Sequence, residues 1–450
     1  MKKTGIYFTY YYKETTMKKL ILCILILFPI LTVFAGGRSV ATPMDLTKPS
    51  ALVLWTHEDP ARSALEQGFI KEFNAKNPNV TVDYQMYPSQ RTAELLTVAF
   101  SANQGPSIFN HSQGVIRQFV LEGRTEALDP SWIGERRIAD VINRYIPGAL
   151  EPVELDGGIH GLPLEYTNQC LYINKKIFRE AGLNPETDYP KTWDDMVTLC
   201  EKLTIRNGDI ITRRGFDFRY PDYTVAILPI AVQMGAQLVS DDGKKAVIGD
   251  EAWIYFFDYM RQWGPRGKNF GSPTYTSARS VFDLNDNQIA MSMSGLYQQS
   301  RMRNSNPTFY NSGDWMIVPY PQAKNGKVVA ASFIGTHYYL VNSQISQEDK
   351  VWAWRFVDFM LSHGEDYLRE VQLIQPTQKL FDSAFFKSIP YSEVFQKDLQ
   401  NGKLTYYGPR SALVNDRMRE AVEASMLQGM DSRTVLNNFR NAVQEILDQQ

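Results

Sequence analysis

Two hydrophobic periods alternate along the first part of the chain. Ala51–Trp55 reads as a short strand, and Leu65, Phe69 and Phe73 then recur at helical steps on one face. Asp59 stands where that helix needs a cap, and Pro60 suits its first position. Asn77-Pro78 ends the helix. Val80–Met86 returns to strand alternation, with Val82, Tyr84 and Met86 on one side. A second helix, Arg91–Ala102, leads through Gly105-Pro106 to a short strand, Ser107–Phe109. Strands that alternate with helices predict a parallel α/β sheet.

The pattern repeats after residue 160. A polar and aromatic loop, Glu165-Tyr166-Thr167-Asn168-Gln169, enters an apolar strand with Leu171 and Ile173. An amphipathic helix follows and stops at Gly182. Thr192 caps the next helix, Trp193–Leu203, with Asp195 three residues on. Trp253–Trp263 predicts an aromatic helix. Arg279–Leu284 leads into a strand, Ile289–Met293, and Trp315–Pro319 into another. Ala330–Val341 reads as a β segment interrupted by Gly335. Glu348–Leu361 carries Val351, Trp354, Val357 and Leu361 on one helical face. Two helices, Asp416–Leu427 and Thr434–Asp448, follow. A polar loop at a strand mouth suggests a ligand crevice. No flexible linker separates the two halves, which predicts two lobes joined by several crossings.

The N-terminal stretch changes the picture of where the protein works. Met17-Lys18-Lys19 is a basic start, Leu20–Leu31 is apolar, and Val33-Phe34-Ala35 offers small residues for cleavage before Gly36. Residues 1–35 therefore read as a signal segment, with Met17 the expected start. Residues 36–49 read as a tether. Removing the segment, with its five Lys and one Glu, takes the formal charge from −2 to about −6. Mild acidity argues against nucleic acid, which calls for a basic patch. Cys170 and Cys200 remain. An exported compartment permits a disulfide between them, but a strand position and an apolar helix face favour buried thiols.

Motifs for catalysis are scarce. The five histidines are His57, His111, His160, His337 and His363, and none pairs at the i, i+4 spacing of a helix metal site. No metal or cofactor site is expected. GxSxG and the P-loop pattern are missing, and Gly157-Gly158 suits a hairpin turn. His57-Glu58-Asp59 has the composition of a catalytic cluster, but Asp59 is accounted for as a cap. Glu58 and Glu165 are the carboxylates that a glycoside-cleaving enzyme would pair. Aromatic residues are more informative. Trp55, Tyr166, Phe218, Tyr220, Tyr297 and His337-Tyr338-Tyr339 lie in loops or at strand ends beside polar groups. Sugar rings pack their C–H faces on such rings, and sugar hydroxyls need fixed donors and acceptors. Core packing accounts equally well for each of these rings alone. For Trp253, Trp263, Trp352 and Trp354, on helices, the core reading is preferred.

Five segments in order carry a family resemblance. They are LVLWTHEDPARSALEQGFIKEFNAKNPNVTVDY, DGGIHGLPLEYTNQCLYINKKIFREAG, YPKTWDDMVTLCEKLT, IAMSMSGLYQQSRM and WMIVPYPQAKNGKVVAASFIGTHYYLVN. Over residues 50–450 the chain resembles the extracellular solute-binding proteins of sugar ABC importers, the family that includes maltose-binding protein. The resemblance implies an α/β, two-lobe type II periplasmic-binding-protein fold with hinge crossings and an interlobe ligand cleft. It implies residues 50–164 plus 320–375 for lobe 1, and 166–315 plus 376–450 for lobe 2. It implies ligand contacts at Trp55, His57 and Glu58 after the first strand, and at Asn110 and Ser112 after the third. Glu165 and Tyr166 at the crossover, Gly295 and Tyr297, and Gly335 and His337 complete the set. The implied protein is a periplasmic or extracytoplasmic monomer, not an enzyme, that captures a carbohydrate and delivers it to a membrane permease. An exported glycoside-acting enzyme, or a binder of a polyamine or glycerol phosphate, is the alternative. Two departures bear on the ligand. Pro106-Ser107 stands where the family often has Pro-Asp, and Tyr297 stands where Trp is frequent.

Overall fold

In the computed structural model the described residues are 44–216, 228–240, 243–249, 251–270, 282, 287–332, 334–402 and 410–449. The signal segment, Phe218, Tyr220 and the lead-in at Arg279–Leu284 fall wholly or mostly outside them. Residues Asp45–Gln450 form one compact unit. It is built on two five-stranded sheets, each with its own core.

The first sheet grows from the N-terminal repeat. Strand β1 (Ser50–His57) is followed by helix α1 (Pro60–Lys76), strand β2 (Val80–Tyr87), helix α2 (Ser89–Ser101), strand β3 (Ile108–Ser112) and helix α3 (Gln113–Leu121). The cap of α1 forms as the sequence predicts. Asp59 accepts from the Arg62 backbone N–H at 3.1 Å, and Pro60 needs no hydrogen bond there. β1 pairs in parallel with β2 and β3. Strand β4 (Leu162–Thr167) is the far edge of this sheet. Its core packs Leu52, Leu54, Phe69, Phe73, Phe109 and Val357 together.

The second sheet begins two residues later. Strand β5 (Cys170–Asn174) leads into helix α4 (Lys175–Glu180), and Gly182 then takes a left-handed φ of +73°. A glycine adopts that conformation without the Cβ clash that would strain other residues, so the helix stops where the sequence says it should. Helix α5 (Trp193–Leu203) starts on the reciprocal Thr192–Asp195 capping box. Strands β6 (Ile205–Asn207) and β7 (Ile210–Phe216), helix α6 (Glu251–Trp263), and strands β8 (Ile289–Ser294) and β9 (Trp315–Val318) follow. The strand order is β9-β5-β8-β7-β6. β5, β8 and β9 are buried along their whole length, as strands covered on both faces must be.

The chain then returns. Strand β10 (Gly335–Val341) inserts antiparallel between β3 and β4, giving the order β2-β1-β3-β10-β4. Helix α7 (Gln347–Leu361) covers the first core with Trp352, Trp354, Val357 and Leu361, and Val351 is buried on the same helix. Helices α8 (Ser411–Met426) and α9 (Ser432–Leu447) pack into the second core, where Phe439 meets Trp253 at 5.7 Å between ring centres. Trp253, Trp263, Trp352 and Trp354 are all core residues.

The chain passes between the sheets three times, and these passages are bonded to one another. The Tyr166 N–H donates to the Ile374 carbonyl at 2.8 Å, and Gln169 N–H to Ser332 Oγ at 2.6 Å. Cys170 and Cys200 are buried thiols that are not joined in a disulfide. Glu154–Leu155 and Gly158–Ile159 form the hairpin expected at Gly157-Gly158. Among the described residues no helix is long and apolar enough to cross a membrane.

Candidate ligand site where the two sheets meet

Strands β1, β3, β10 and β4 are consecutive in the first sheet or reached through one neighbour, and they share one edge. The parallel strands bring their carboxyl ends there, while antiparallel β10 begins there. In open α/β sheets this is the edge where chain reversals leave a crevice. The register sets His337 opposite both Ser112 and Glu165, and Gly335 opposite Thr167.

A row of ionisable side chains results. His337 Nδ1 lies 2.5 Å from Glu165 Oε1. The His57 ring centre is 4.9 Å from that of His337, and the His111 ring centre 6.5 Å. Burial holds the His57 pKa far below the ordinary histidine value, and the nearby charges of Arg62 and His337 push the same way. Burial, with His337 second, pushes His111 down to about 3. Both rings are therefore neutral at pH 7. His111 Nδ1 accepts from the Ser112 N–H at 2.8 Å, which leaves the ring proton on Nε2. Neutral imidazoles and a carboxylate offer both donors and acceptors. Among the described residues no group of three or more His, Cys, Asp or Glu could hold a metal ion.

The second sheet contributes a different surface. Gly295 follows β8, and its carbonyl accepts from Tyr172 Oη at 2.8 Å. A Cβ on Gly295 would stand 2.5 Å from a Tyr297 ring carbon and 3.1 Å from Thr167 Oγ1. Glycine is what lets both approach. Tyr297 lies just before a helix, Gln298–Ser305, and packs against the core of the first sheet. Thr167, 8% exposed, sits between Gly295 and Gly335, whose Cβ would be 3.6 Å from Thr167 Cγ2. Its hydroxyl has no hydrogen-bond partner among the described residues, and neither has Trp55 Nε1.

Several expected positions differ. Trp55 and His57 lie inside β1, not after it, because pairing with β2 continues to His57–Tyr87. Asn110 and Ser112 lie inside β3, because β10 pairs with it through Ser112. Glu165 and Tyr166 belong to β4, so the loop into β5 is reduced to Asn168-Gln169. Asn110 is fully buried, with Nδ2 donating to the Tyr338 carbonyl at 3.1 Å. Tyr166 is buried in a small cluster with Ala149 and Ile334, and burial pushes its hydroxyl up to about 12. Tyr338 and Tyr339 are not at the edge at all. Both are fully buried in β10, with their hydroxyls bonded to the Ala149 carbonyl and to Glu66. Met86 is exposed on β2, an outer strand, although Ser63 of α1 donates to its sulfur at 2.7 Å. Glu58 is exposed beyond β1, its N–H bonded to the Tyr87 carbonyl. His111 and Thr167 were not expected at this edge. Thr167 lies within the polar stretch that drew attention to Glu165, but no pattern in the chain sets His111 apart from the other histidines.

This geometry can be set beside known proteins. Residues 56–367 match the family described as bacterial extracellular solute-binding protein. The chain is 22% identical over 383 residues to a maltotriose-binding protein of Pyrococcus abyssi, covering 83% of this chain and 76% of that one. Putative binding proteins of Brucella abortus are 29% identical over 140 residues, about a third of either chain. The maltose/maltodextrin-binding domain MalE from Bdellovibrio bacteriovorus, solved with maltotriose, superposes with a TM-score of 0.75 at 18% identity, covering 88% of this chain and 100% of that one. That likeness carries the fold, a two-lobe α/β type II binding-protein architecture. The chain belongs to the bacterial extracellular solute-binding protein family. The relatives named above are described as binding proteins.

Proposed function

We propose that the protein captures a carbohydrate between its two sheets and delivers it to the membrane permease of an ABC importer. The observation that carries this reading is the meeting at Thr167 of two chemically different edges within a solute-binding fold. One edge supplies His57, Ser112, Glu165 and His337, which match the alternating donors and acceptors of a polyol. The other supplies Gly295 and the Tyr297 ring, which suits the C–H face of a sugar. The Thr167 hydroxyl and Trp55 Nε1, buried without partners among the described residues, are groups whose desolvation a ligand hydroxyl would offset. Trp55, Glu58, Asn110, Tyr166 and Gly335 complete the ligand set, Asn110 and Tyr166 as buried supports. The maltotriose-binding relative and the maltotriose-bound neighbour favour an oligosaccharide.

Ligand contacts with both edges stabilise the closed arrangement, since only differential affinity shifts the equilibrium between open and closed. Lobe 1 is residues 50–164 plus 320–375, extended through Thr167 because β4 belongs to the first sheet, and lobe 2 is the remainder of 166–315 plus 376–450. The protein works as a monomer outside the cytoplasm after cleavage of residues 1–35, and it makes or breaks no bond in its ligand.

A thermal-shift screen of residues 36–450 against mono- and oligosaccharides, polyamines and phosphate esters tests the reading, because binding to the folded state raises Tm. A rise with one sugar class is expected. A rise only with a charged solute overturns the carbohydrate, and turnover of a chromogenic glycoside overturns the binding-only role.

A further inference from the structure

Arg62 lies beneath this edge. It stands in the first turn of α1 and is 2% exposed. Its Nη2 donates to Thr56 Oγ1 at 2.6 Å and to the His57 carbonyl at 2.7 Å. Its Nη1 donates to Asn110 Oδ1 at 3.4 Å. One planar fork thus grips the ends of both β1 and β3. Asn110 is held at its other end by the Tyr338 carbonyl, so its amide cannot rotate freely.

Arg62 is itself held from behind. Its Nε is 3.9 Å from Oε1 of Glu66, which is fully buried. Glu66 accepts from Tyr84 Oη at 2.7 Å, from Tyr367 Oη at 3.0 Å and from Tyr339 Oη. These phenols come from β2, from β10 and from the helical turn Tyr367–Val371 that precedes the last passage between the sheets. A buried ion pair is a weak source of stability, because desolvation offsets the attraction and apolar side chains of similar volume often serve as well. A guanidinium in this position therefore calls for a geometric reason.

We propose that Arg62 is a positioning residue of the ligand site: it orients the His57 backbone and the Asn110 side chain, and through Glu66 it ties them to Tyr339 and Tyr367. This rests on the reading that His57 and Asn110 belong to the ligand site, and it adds a residue that does not itself touch the ligand. The arrangement also places a fixed positive charge beside His57, which otherwise faces His337, His111 and Asn110.

The test compares the wild type with Arg62→Lys, Arg62→Met and a core control, Phe73→Leu. Ligand affinity is read by calorimetry with the sugar found in the screen, and the His57 ring is titrated by NMR in the ligand-free protein. Affinity should fall at least tenfold in both Arg62 variants, but less than threefold in the control at a comparable loss of Tm. His57 should titrate higher in Arg62→Met, where the charge is gone, and less so in Arg62→Lys, where the charge remains without the fork. Wild-type affinity within twofold in a folded Arg62 variant overturns the proposal, and Arg62→Lys carries this arm where Arg62→Met does not fold. If no sugar binds the wild type, the carbohydrate reading fails on its own. Unchanged NMR shifts of the His57 backbone and the Asn110 side-chain amide in a folded Arg62 variant then overturn the positioning role separately.

Discussion

The two sheets bring opposite chemistry to the place where they meet. The first brings His57, His111, His337 and Glu165, side chains that are bonded or buried among one another. The second brings a bare backbone at Gly295 and a tyrosine ring folded over it. A network of this kind is rigid and directional. A ring over a glycine is shape without direction. The contrast teaches that orientation and contact area are supplied from different parts of the chain, so they can be broken separately.

The largest effect expected is on the polar side, and it is a matter of pH. His57 and His111 are buried neutral, with folded pKa values below that of an unfolded histidine. Below pH ~6.5 the unfolded chain takes up protons that the folded chain refuses, so stability falls as pH falls. Each such histidine contributes a slope of up to about 1.4 kcal/mol per pH unit. For His111 the loss runs from ~6.5 towards about 3. Urea unfolding at pH 6.5, 5.5 and 4.5 should show it, and His111→Asn should flatten it. An unchanged slope in the variant would remove His111 as a cause.

On the other side, Gly295→Ala forces a Cβ into the Tyr297 ring and against Thr167. Overpacking of this kind costs about 1–3 kcal/mol. Calorimetry should show most of it as lost affinity, because the displaced ring is the group proposed to face the ligand. Tyr297→Ala removes the ring and should weaken sugar binding by about 1–3 kcal/mol while leaving Tm within a few degrees. Equal affinity would assign the ring to packing between the sheets alone. The smallest effect is expected at the boundary. Thr167→Val keeps the shape and removes a hydroxyl that has no partner among the described residues. Stability should hold or rise slightly, and affinity should drop by about 0.5–1.5 kcal/mol. A stability loss with unchanged affinity would make Thr167 structural.

Much of the fold was legible because it is written in local patterns. The Asp59 and Thr192 caps, the stop at Gly182, the alternation in β2 and the helical faces of α1 and α7 each depend on residues within one or two turns. The site was legible only in part. Glu165, His337 and Tyr297 stand at the edge, yet Tyr338 and Tyr339, adjacent in sequence and similar in type, are core. Strand direction decides that difference, and composition cannot report it. His111 shows the same limit, since its neighbour His337 is more than two hundred residues away in sequence.

The sequence by itself determined that strands and helices alternate twice, where α1 and α5 are capped and where α4 stops, though not where β1, β3 and β4 end. Those outcomes rest on backbone sterics, capping and hydrophobic period, all of which act over a few residues. Only the tertiary structure decided that β10 inserts between β3 and β4, and hence that His337 faces Ser112 and Glu165. It also decided that Arg62 lies beneath His57 and Asn110, and that Gly295 admits Tyr297 and Thr167 together. Each depends on register between strands far apart in sequence, which is set when two cores close and not by any residue alone.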